Sequence, residues 1–335
     1  MRDHWPDRRS PPFSARSIAC AVLLALGLVL SAGGPAFANK KYDPFHPDDL
    51  EPVIKHLVGR GLEESRVRTV LLDPSLRRHS GVVGVNVRNP DREEMYAQFI
   101  KPYTIRQARR FAHKHRDLLI EAEGRHGVPR GIIIGILLVE SRLGQHTNRY
   151  SVLEVFTSLA ARRSPEMVNA LYQQVKRKRP DATRDWLNER LEKKTGFAMR
   201  ELEALFQMFP KENADMLKLR GSYAGAIGIP QFLPSSKLQW GVDGDKDGKV
   251  DLNNMRDAIH SVGHYLSQHG WTKDATFEEK WRSIWKYNHS NNYVRTIFEV
   301  AIRVTSPFKY NRPQKAAVVH KPAPVRSNLA VSTGD

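Results

Sequence analysis

Apolar residues recur at helical spacing along most of the chain, and no segment shows the strict alternation of apolar and polar residues that is typical of a strand. Residues 48–72 predict one or two short helices, and residues 104–124 predict one long helix. Another helix is expected over residues 130–144, because Pro129 can begin a helix without losing a hydrogen bond. The same spacing predicts the remaining helices near residues 199–206, 255–269, 278–285 and 293–304. The predicted fold class is therefore mainly α, with a small irregular or β element.

Three regions depart from this pattern in composition. Residues 164–194 are charged and helical with few large apolar side chains, so we expect a basic helical insertion there. That insertion either grips an anionic partner or a protein partner, or forms a solvated surface hairpin. Residues 79–102 are polar and weakly patterned, and no element is assigned to them. Residues 307–335 are rich in Pro, Ala, Lys and Ser, which predicts a disordered tail.

The first 38 residues are predicted to be a signal peptide. Arg8, Arg9 and Arg16 precede an apolar run from Ile18 to Leu30, and Ala36–Phe37–Ala38 has the small-residue pattern of a cleavage site. The run is shorter than the roughly 20 residues that a membrane-spanning helix needs, so a retained anchor is the less favoured alternative. The chain's single cysteine, Cys20, lies too early in the run for lipid attachment, and no lipid anchor is predicted. We therefore expect a periplasmic protein.

Charge narrows the class of partner. The chain carries 53 Lys and Arg against 36 Asp and Glu, a formal net charge of +17, which favours an acidic partner. Nucleic acid, anionic lipid and an anionic polymer all meet that requirement. Nucleic acid is not predicted, because the chain carries an export signal and no recognised nucleic-acid motif. The acidic materials left outside a bacterial membrane are peptidoglycan and anionic envelope lipid.

One carboxylate interrupts an apolar helix. Glu140 follows the sequence Gly131-Ile-Ile-Ile-Gly-Ile-Leu-Leu-Val, and its neighbours three and four positions away are mostly apolar. Desolvation there would raise the pKa of the carboxyl and give an acid able to protonate a glycosidic oxygen near neutral pH. The alternative is a structural glutamate at a helix end, held by Arg142, by Ser141 or by a backbone N–H.

A glycine-rich segment downstream carries groups suited to sugars. Within Gly221–Ser236, glycines and other small residues would allow the backbone to approach a ligand closely. Ser222, Tyr223 and Gln231 supply hydroxyl and amide groups that can bind the hydroxyl and N-acetyl groups of a glycan. An ordinary tight loop is the alternative.

Several linked motifs resemble the lytic murein transglycosylase B family. They are Val139–Gly144 with Arg149–Leu153, then Gly221–Ser236, and finally Tyr287–Ser290 with Tyr293. Their order and spacing match the family from about residue 50 to about residue 305. The resemblance implies a lysozyme-like α-helical catalytic core at residues 126–306, preceded by an additional helical N-terminal part at residues 39–125.

The resemblance also implies a mechanism and a set of site residues. Glu140 matches the glutamate that protonates the oxygen between N-acetylmuramic acid and N-acetylglucosamine. As a carboxylate, the same residue then deprotonates the muramoyl C6 hydroxyl, which yields a 1,6-anhydro sugar without water. The positions that match the family's substrate cleft are Ser222, Tyr223, Gln231, Tyr287, Asn288 and Tyr293.

A lysozyme-type muramidase on the same core is the nearest alternative. Such hydrolases usually need a second carboxylate, and none lies within residues 221–236 or 287–293. Glu154 and Glu299 could still approach the site in space. An alternative from another class is a non-catalytic peptidoglycan-binding scaffold. Glycan strands are the expected partner in every case, with cell-wall synthesis or other envelope proteins as further candidates.

An acidic segment predicts a structural calcium site. Carboxylates occupy positions 1, 3, 5 and 9 of an EF-hand-like loop, with glycine at position 6 and a backbone carbonyl at position 7. Position 12 is Asn254 rather than glutamate, and the resemblance implies an elongated loop that ends on a later carboxylate. The candidate ligands are Asp243, Asp245, Asp247, Lys249, Asp251 and Asp257. A polar turn without an ion is the alternative, and no organic cofactor is expected.

Overall fold

The fold is a layered packing of α-helices joined by short loops. The computed structural model describes residues 43–88, 93–147 and 149–306, and the described residues up to Thr305 belong to one compact unit. The helices are α1 Pro47–Gly59, α2 Glu64–Leu71, α3 Ser80–Arg88, α4 Pro102–Lys114, α5 Arg116–His126, α6 Arg130–Ser141, α7 Val152–Ala160, α8 Pro165–Lys176, α9 Arg184–Met208, α10 Asn213–Lys218, α11 Pro234–Trp240, α12 Met255–Gln268, α13 Phe277–Tyr287 and α14 Asn291–Thr305.

Helix α6 forms the centre of the core. Every residue from Gly131 to Ser141 is buried, as expected for a helix that is apolar on all sides. Helix α14 packs along it at short range: a Cβ placed on Gly135 would lie 3.1 Å from the carbonyl oxygen of Ile297. Glycine at this position therefore allows the two backbones to approach closely. The helix predicted over residues 130–144 is confirmed, although it ends at Ser141.

The single helix predicted over residues 104–124 is wrong, because the structure has two helices there. α4 ends at Lys114, and His115, with φ −109° and ψ 28°, is non-helical. Phe111 is buried in α4, and Leu119 and Ala122 are buried in α5. The break allows each helix to direct its own apolar face into the core, which one continuous helix could not do for both.

The charged segment at 164–194 is helical, as predicted. It comprises α8 and the first part of α9, a helix of 25 residues that continues without a break into the core. The helix predicted at 199–206 is thus the second part of α9, where Leu202, Leu205 and Phe206 are buried. The segment also buries Val175 and Leu187, so only its outer face is solvated.

Two short antiparallel sheets complete the fold. Asp43–Pro44 (β1) pairs with Arg77–Arg78 (β2), and Tyr150–Ser151 (β3) pairs with Arg220–Gly221 (β4). The second pair joins the chain after α6 to the start of the glycine-rich segment. These sheets are the small β element that the sequence predicted.

Partly buried hydrogen bonds connect the N-terminal helices to the rest of the fold. Arg78 donates to the Arg162 carbonyl oxygen at 3.0 Å, and His79 bonds Glu154 of α7 at 2.7 Å. Helix α3 lies in the weakly patterned stretch and was not predicted. Helices α1 to α5 lie between Pro47 and His126.

Some sequence predictions lie outside the described residues. These are the signal peptide at 1–38 and the disordered tail at 307–335. Within 43–88, 93–147 and 149–306, none of the helices combines the length and the apolar character that crossing a bilayer requires.

Candidate active site

Glu140 lies in the last turn of α6 and is almost fully buried, with a relative exposure of 3%. Its carboxyl Oε1 accepts a hydrogen bond from the Tyr293 hydroxyl of α14, with an O···O distance of 2.7 Å. α6 and α14 therefore supply the acid and its hydrogen-bond donor. The close packing of these two helices fixes the position of the Glu140 carboxyl relative to the Tyr293 hydroxyl.

Burial determines the protonation state of this carboxyl. Desolvation raises the pKa of Glu140 from its ordinary 4.5 to about 8, and the hydrogen bond from Tyr293 opposes this rise only in part. Burial also raises the pKa of the Tyr293 hydroxyl well above 10, so Tyr293 remains a donor. Since Oε1 accepts the Tyr293 bond, Oε2 is the oxygen left to carry the carboxyl proton. Glu140 is thus a neutral acid at pH 7.

A group of tyrosines surrounds this pair. The ring of Tyr287 stacks on that of Tyr293 with centroids 6.4 Å apart and an interplanar angle of 13°. Tyr96 meets the Tyr293 ring edge-on, with centroids 6.5 Å apart. Ser290 accepts a hydrogen bond from the Tyr96 hydroxyl at 3.3 Å, and its own oxygen accepts from the Tyr293 backbone N–H at 3.0 Å. These contacts fix the Tyr293 ring and with it the direction of the bond to Glu140.

The neighbours that would make Glu140 a structural helix-end residue bond elsewhere. Arg142 donates to the side-chain oxygen of Gln98, and its guanidinium lies 5.7 Å from the centroid of the Phe99 ring. The Ser141 hydroxyl donates to the Leu137 carbonyl oxygen at 3.3 Å. Neither residue neutralises the carboxyl, so its protonation follows from burial.

The two acids considered as a second catalytic carboxylate also have other partners. Glu154 accepts bonds from His79 at 2.7 Å and from the Arg77 backbone N–H at 2.9 Å. Glu299 pairs with Arg303 at 2.6 Å, one turn along α14. In the described part of the chain, both carboxylates are therefore held by partners other than Glu140 and Tyr293.

The glycine-rich segment is a tightly folded loop between β4 and α11. The Ser222 hydroxyl accepts bonds from the backbone N–H groups of Ala224 at 3.3 Å and Ala226 at 3.2 Å. Gly225 has φ +80°, and a Cβ there would lie 2.3 Å from the Phe156 ring. Its small size therefore serves packing within the protein. Tyr223 is half-buried, and its carbonyl oxygen accepts a bond from the side chain of Asn86.

Two candidate ligand-binding side chains carry buried polar atoms without a hydrogen-bond partner among the described residues. Gln231, at φ 53°, donates from Nε2 to the Gly228 carbonyl oxygen at 2.7 Å, but its Oε1 has no donor. Asn288 is 5% exposed, and its Nδ2 has no acceptor. The Tyr287 hydroxyl donates to the Pro230 carbonyl oxygen at 2.6 Å, which joins the tyrosine group to the residue before Gln231. Unpaired buried amide atoms are costly, and a bound polar ligand would satisfy them.

The acidic loop brings part of its predicted ligand set together. Carboxylate oxygens of Asp243, Asp245 and Asp247 lie within 4.8 Å of one another. Asp257 is 1% exposed, and its two oxygens accept the backbone N–H groups of Gly244 at 2.8 Å and Asp251 at 2.7 Å. Asp257 therefore closes the loop through hydrogen bonds in this structure. Asp251 accepts from the backbone N–H of Asn253 at 2.9 Å, and Lys249 donates its backbone N–H to Asp247 at 2.9 Å.

Sequence reasoning missed two residues that support the site. Tyr96 lies in the polar stretch at 79–102 and fits the family's aromatic pattern only loosely, so the sequence predicts no role for it. Glu201, 2% exposed, accepts from both the backbone N–H and the hydroxyl of Ser235, at 3.0 and 2.8 Å. It thereby joins α9 to the first turn of α11, next to the glycine-rich loop. The detectable signal was its position between Met199 and Leu202, since a carboxylate on the buried face of a helix needs a partner.

Residues 50–282 match the family described as the transglycosylase SLT domain. Over 176 residues the chain is 31% identical to membrane-bound lytic murein transglycosylase B of Escherichia coli, a match that covers 52% of this chain and 41% of that protein. The chain thus spans about two fifths of the length of this curated relative. The resemblance inferred from the motifs is confirmed at the level of the family.

Solved structures of lytic transglycosylases share the fold. The Escherichia coli enzyme SLT35, in complex with calcium, gives a TM-score of 0.59 at 22% identity, covering 77% of this chain and 92% of that one. Soluble SltB1 from Pseudomonas aeruginosa gives 0.60 at 22% identity, covering 76% and 98%. SltB3 from the same organism, in complex with NAG-NAM-pentapeptide, gives 0.60 at 18% identity, covering 77% and 79%. At these identities the similarity establishes the mainly helical fold.

Proposed function

The chain belongs to the transglycosylase SLT domain family, and from that premise we propose that it is a peptidoglycan lytic transglycosylase. Its substrate would be the β-1,4 bond between N-acetylmuramic acid and N-acetylglucosamine. The observation that carries this proposal is the buried carboxyl of Glu140, with its pKa raised to about 8 and a hydrogen bond from Tyr293.

Glu140 acts as acid and then as base in the proposed reaction. Its Oε2 proton passes to the glycosidic oxygen as the bond from that oxygen to the muramoyl C1 breaks. The resulting carboxylate then accepts the proton of the muramoyl C6 hydroxyl while the C6 oxygen forms a bond to C1. The reaction consumes no water, and Glu140 returns to its protonated form. Tyr293 donates to Oε1 throughout and stabilises the carboxylate between the two steps.

A single acid is sufficient for this chemistry, because the substrate supplies its own nucleophile. The contacts of Glu154 with His79 and of Glu299 with Arg303 favour transglycosylation over a two-carboxylate hydrolysis. Hydrolysis by a muramidase remains the second candidate, since water could replace the C6 hydroxyl.

The buried amides are the proposed contacts to sugar. Gln231 Oε1 would accept from, and Asn288 Nδ2 would donate to, the N-acetyl and hydroxyl groups of the muramoyl residue. Tyr287 and Tyr223 would line the same cleft. Ser222 would act mainly by holding the loop in shape, since its hydroxyl already accepts two backbone N–H groups.

We propose a structural calcium ion in the EF-hand-like loop. Three clustered carboxylates repel one another, and their oxygens are the ligands that calcium prefers. Asp243, Asp245 and Asp247 would hold the ion, together with Asp251 and the Lys249 carbonyl. Each Asp257 oxygen accepts one backbone N–H and keeps a second lone pair through which it would join them. The loop leads into α12, so the ion would brace the helix that packs against α5 and α13.

Location and partners follow from the proposed substrate. We propose that residues 1–38 direct export to the periplasm, where peptidoglycan lies, and that no lipid is attached. The described part would then divide into a helical N-terminal part up to residue 125 and a catalytic core from 126 onwards. Other cell-wall synthesis or envelope proteins are further candidate partners.

The test is digestion of purified sacculi by the intact protein and by Glu140→Gln, followed by mass spectrometry of the released muropeptides. We expect 1,6-anhydro ends from the intact protein and none from the folded variant. Reducing ends would instead identify a muramidase. Binding to sacculi without any soluble fragment would identify a scaffold and contradict the proposal.

A further inference from the structure

The turn between α8 and α9 carries a dense basic surface, which we call the hairpin tip. Within residues 176–185 there are five cations and only two acids. Its one ion pair among the described residues joins Arg179 to Asp181 at 3.4 Å, with side chains 48% and 74% exposed. Arg177 and Lys178 are exposed and form no ion pair within that part of the chain. The cations of the hairpin tip are Lys176, Arg177, Lys178, Arg179 and Arg184.

Aromatic rings hold some of these cations in place. The Arg179 guanidinium lies 4.8 Å from the centroid of the Trp186 ring, and that of Arg184 lies 4.7 Å from the Tyr172 ring. The Tyr172 hydroxyl in turn donates to the carbonyl oxygen of Ala182, a buried residue of the turn, at 3.3 Å. Guanidiniums held in this way lose less side-chain freedom when they bind a ligand.

Several exposed cations elsewhere are neutralised within the protein. Arg68, for example, bonds both Glu51 and Glu64, and Arg282 bonds Glu278. By contrast, Arg106, Arg110 and Lys114 of α4 form no ion pair among the described residues. The hairpin tip places five cations within ten residues beside only two acids, one of which pairs with Arg179. The charge is therefore available to an external anion.

The hairpin tip is separate from the site around Glu140. Helix α9 runs from Arg184 at the hairpin tip to Glu201 beside the glycine-rich loop, a length of about 25 Å at 1.5 Å per residue. A ligand at the tip would thus contact the protein at a second point and would not obstruct the acid.

The chemistry of the tip favours carboxylates over a lipid surface. Arginine forks bind carboxylates with two parallel hydrogen bonds. An amphipathic helix that binds a membrane surface also inserts apolar side chains into the lipid, and none of the exposed large apolar residues lies within residues 164–200. Charge complementarity without an apolar face fits a polymer that carries carboxylates.

We propose that the hairpin tip binds the carboxylates of peptidoglycan stem peptides. The inference rests on the proposed function, because it identifies the anionic polymer as the enzyme's own substrate. A second contact would hold the enzyme on the wall between cleavage events and would raise the local concentration of glycan bonds at Glu140. It would act on insoluble wall and leave the cleavage of short soluble glycans unchanged.

The experiment measures binding separately from catalysis. The full chain carrying Glu140→Gln is sedimented with purified sacculi between 0.05 and about 0.5 M NaCl, since added salt screens exposed charges. The test variant adds Arg177→Gln, Lys178→Gln and Arg179→Gln. The matched control removes three exposed cations of α4, through Arg106→Gln, Arg110→Gln and Lys114→Gln.

We expect the hairpin-tip variant to bind at least about tenfold more weakly at low salt and the α4 control to bind within about twofold of its parent. Amidation of the carboxylates of the sacculi should weaken binding of the parent protein by the same factor. Equal losses in both variants, or unchanged binding after amidation, would overturn the proposal. So would tip-dependent binding to phosphatidylglycerol vesicles that exceeds tip-dependent binding to sacculi.

A second measurement separates this inference from the proposed function. The tip and α4 variants are prepared with Glu140 intact, and their cleavage of sacculi and of short soluble glycans is compared. Slower solubilisation of sacculi by the tip variant, with unchanged cleavage of soluble glycans, supports the proposed binding role of the hairpin tip. If the intact protein releases no anhydro ends while binding still depends on the tip, the proposed reaction fails and the binding surface stands.

Discussion

Replacing Glu140 by glutamine should stabilise the protein at neutral pH while it removes activity. The substitution keeps the shape of the side chain and an oxygen that can accept the Tyr293 bond. It removes the ionisable group, whose pKa is raised from 4.5 to about 8 by burial. At pH 7 this group is ionised in the unfolded chain and protonated in the folded chain. Only the unfolded chain therefore gains the favourable hydration of the carboxylate, which lowers the free energy of unfolding.

The sign and size of the effect follow from proton linkage. Between pH 4.5 and 8 the native state binds one proton more than the unfolded state, so the free energy of unfolding of the intact protein falls as pH rises. One pKa unit corresponds to about 1.4 kcal/mol. Relative to acidic pH, where Glu140 is protonated in both states, the free energy of unfolding is lower by roughly 1 kcal/mol at pH 5, about 3 kcal/mol at pH 7 and about 5 kcal/mol at pH 9. Glutamine does not titrate, so Glu140→Gln should avoid this loss.

Thermal unfolding of the two proteins between pH 5 and 9 measures the difference. At pH 7 the variant should unfold about 6–12 °C higher, and the gap should narrow towards pH 5. Glu94→Gln, at an exposed carboxylate, is the matched control and should show no such trend. A gap for Glu140→Gln that stays constant across this range would refute the raised pKa, and with it the acid function inferred from burial.

Three other perturbations test separate parts of the site. Tyr293→Phe removes the hydrogen bond that lowers the pKa of Glu140. The alkaline limb of the pH–activity profile should therefore move to higher pH, and the rate should fall. An unchanged limb would contradict this role of Tyr293. Gly225→Ala should cost about 2–4 kcal/mol of stability, seen in urea unfolding, because its Cβ would meet Phe156 in a left-handed backbone; full stability would disprove the packing role. Chelation of calcium should lower the unfolding temperature and added calcium should restore it, and Asp245→Asn should abolish this response; a chelator-insensitive protein would count against the ion.

The spacing of apolar residues was enough to predict the helices whose buried face stays on one side along their whole length. α6, α12 and α14 follow their predicted spans closely for this reason. The break at His115 could not be predicted, because no proline or glycine marks it and it arises from packing against two different neighbours. α3 was missed because it is short and lies in a stretch with little contrast between apolar and polar positions.

For the candidate site, the local environment of Glu140 could be predicted and its partners could not. The apolar residues around it lie on its own helix, so desolvation follows from sequence spacing. The bond from Tyr293 spans 153 positions and depends on how α14 packs against α6. The roles of Tyr96 and Glu201 likewise arise from contacts between distant segments, and the sequence alone gives no direction for either side chain.

The turn after α6 explains how a basic residue two positions from Glu140 leaves that carboxyl neutral. Arg142 and Leu143 both adopt left-handed backbone conformations, with φ 51° and 62°, which cost of order 1–3 kcal/mol for a residue other than glycine. This turn ends the helix at Ser141 and places the Arg142 guanidinium beside Gln98 and Phe99. A guanidinium next to the carboxyl would lower its pKa and ionise it at pH 7, which would remove the proton that the proposed reaction needs. The strain in the turn and the raised pKa of Glu140 are therefore linked, because the costly backbone conformation also places the Arg142 charge beside Gln98 and Phe99 and not beside the acid.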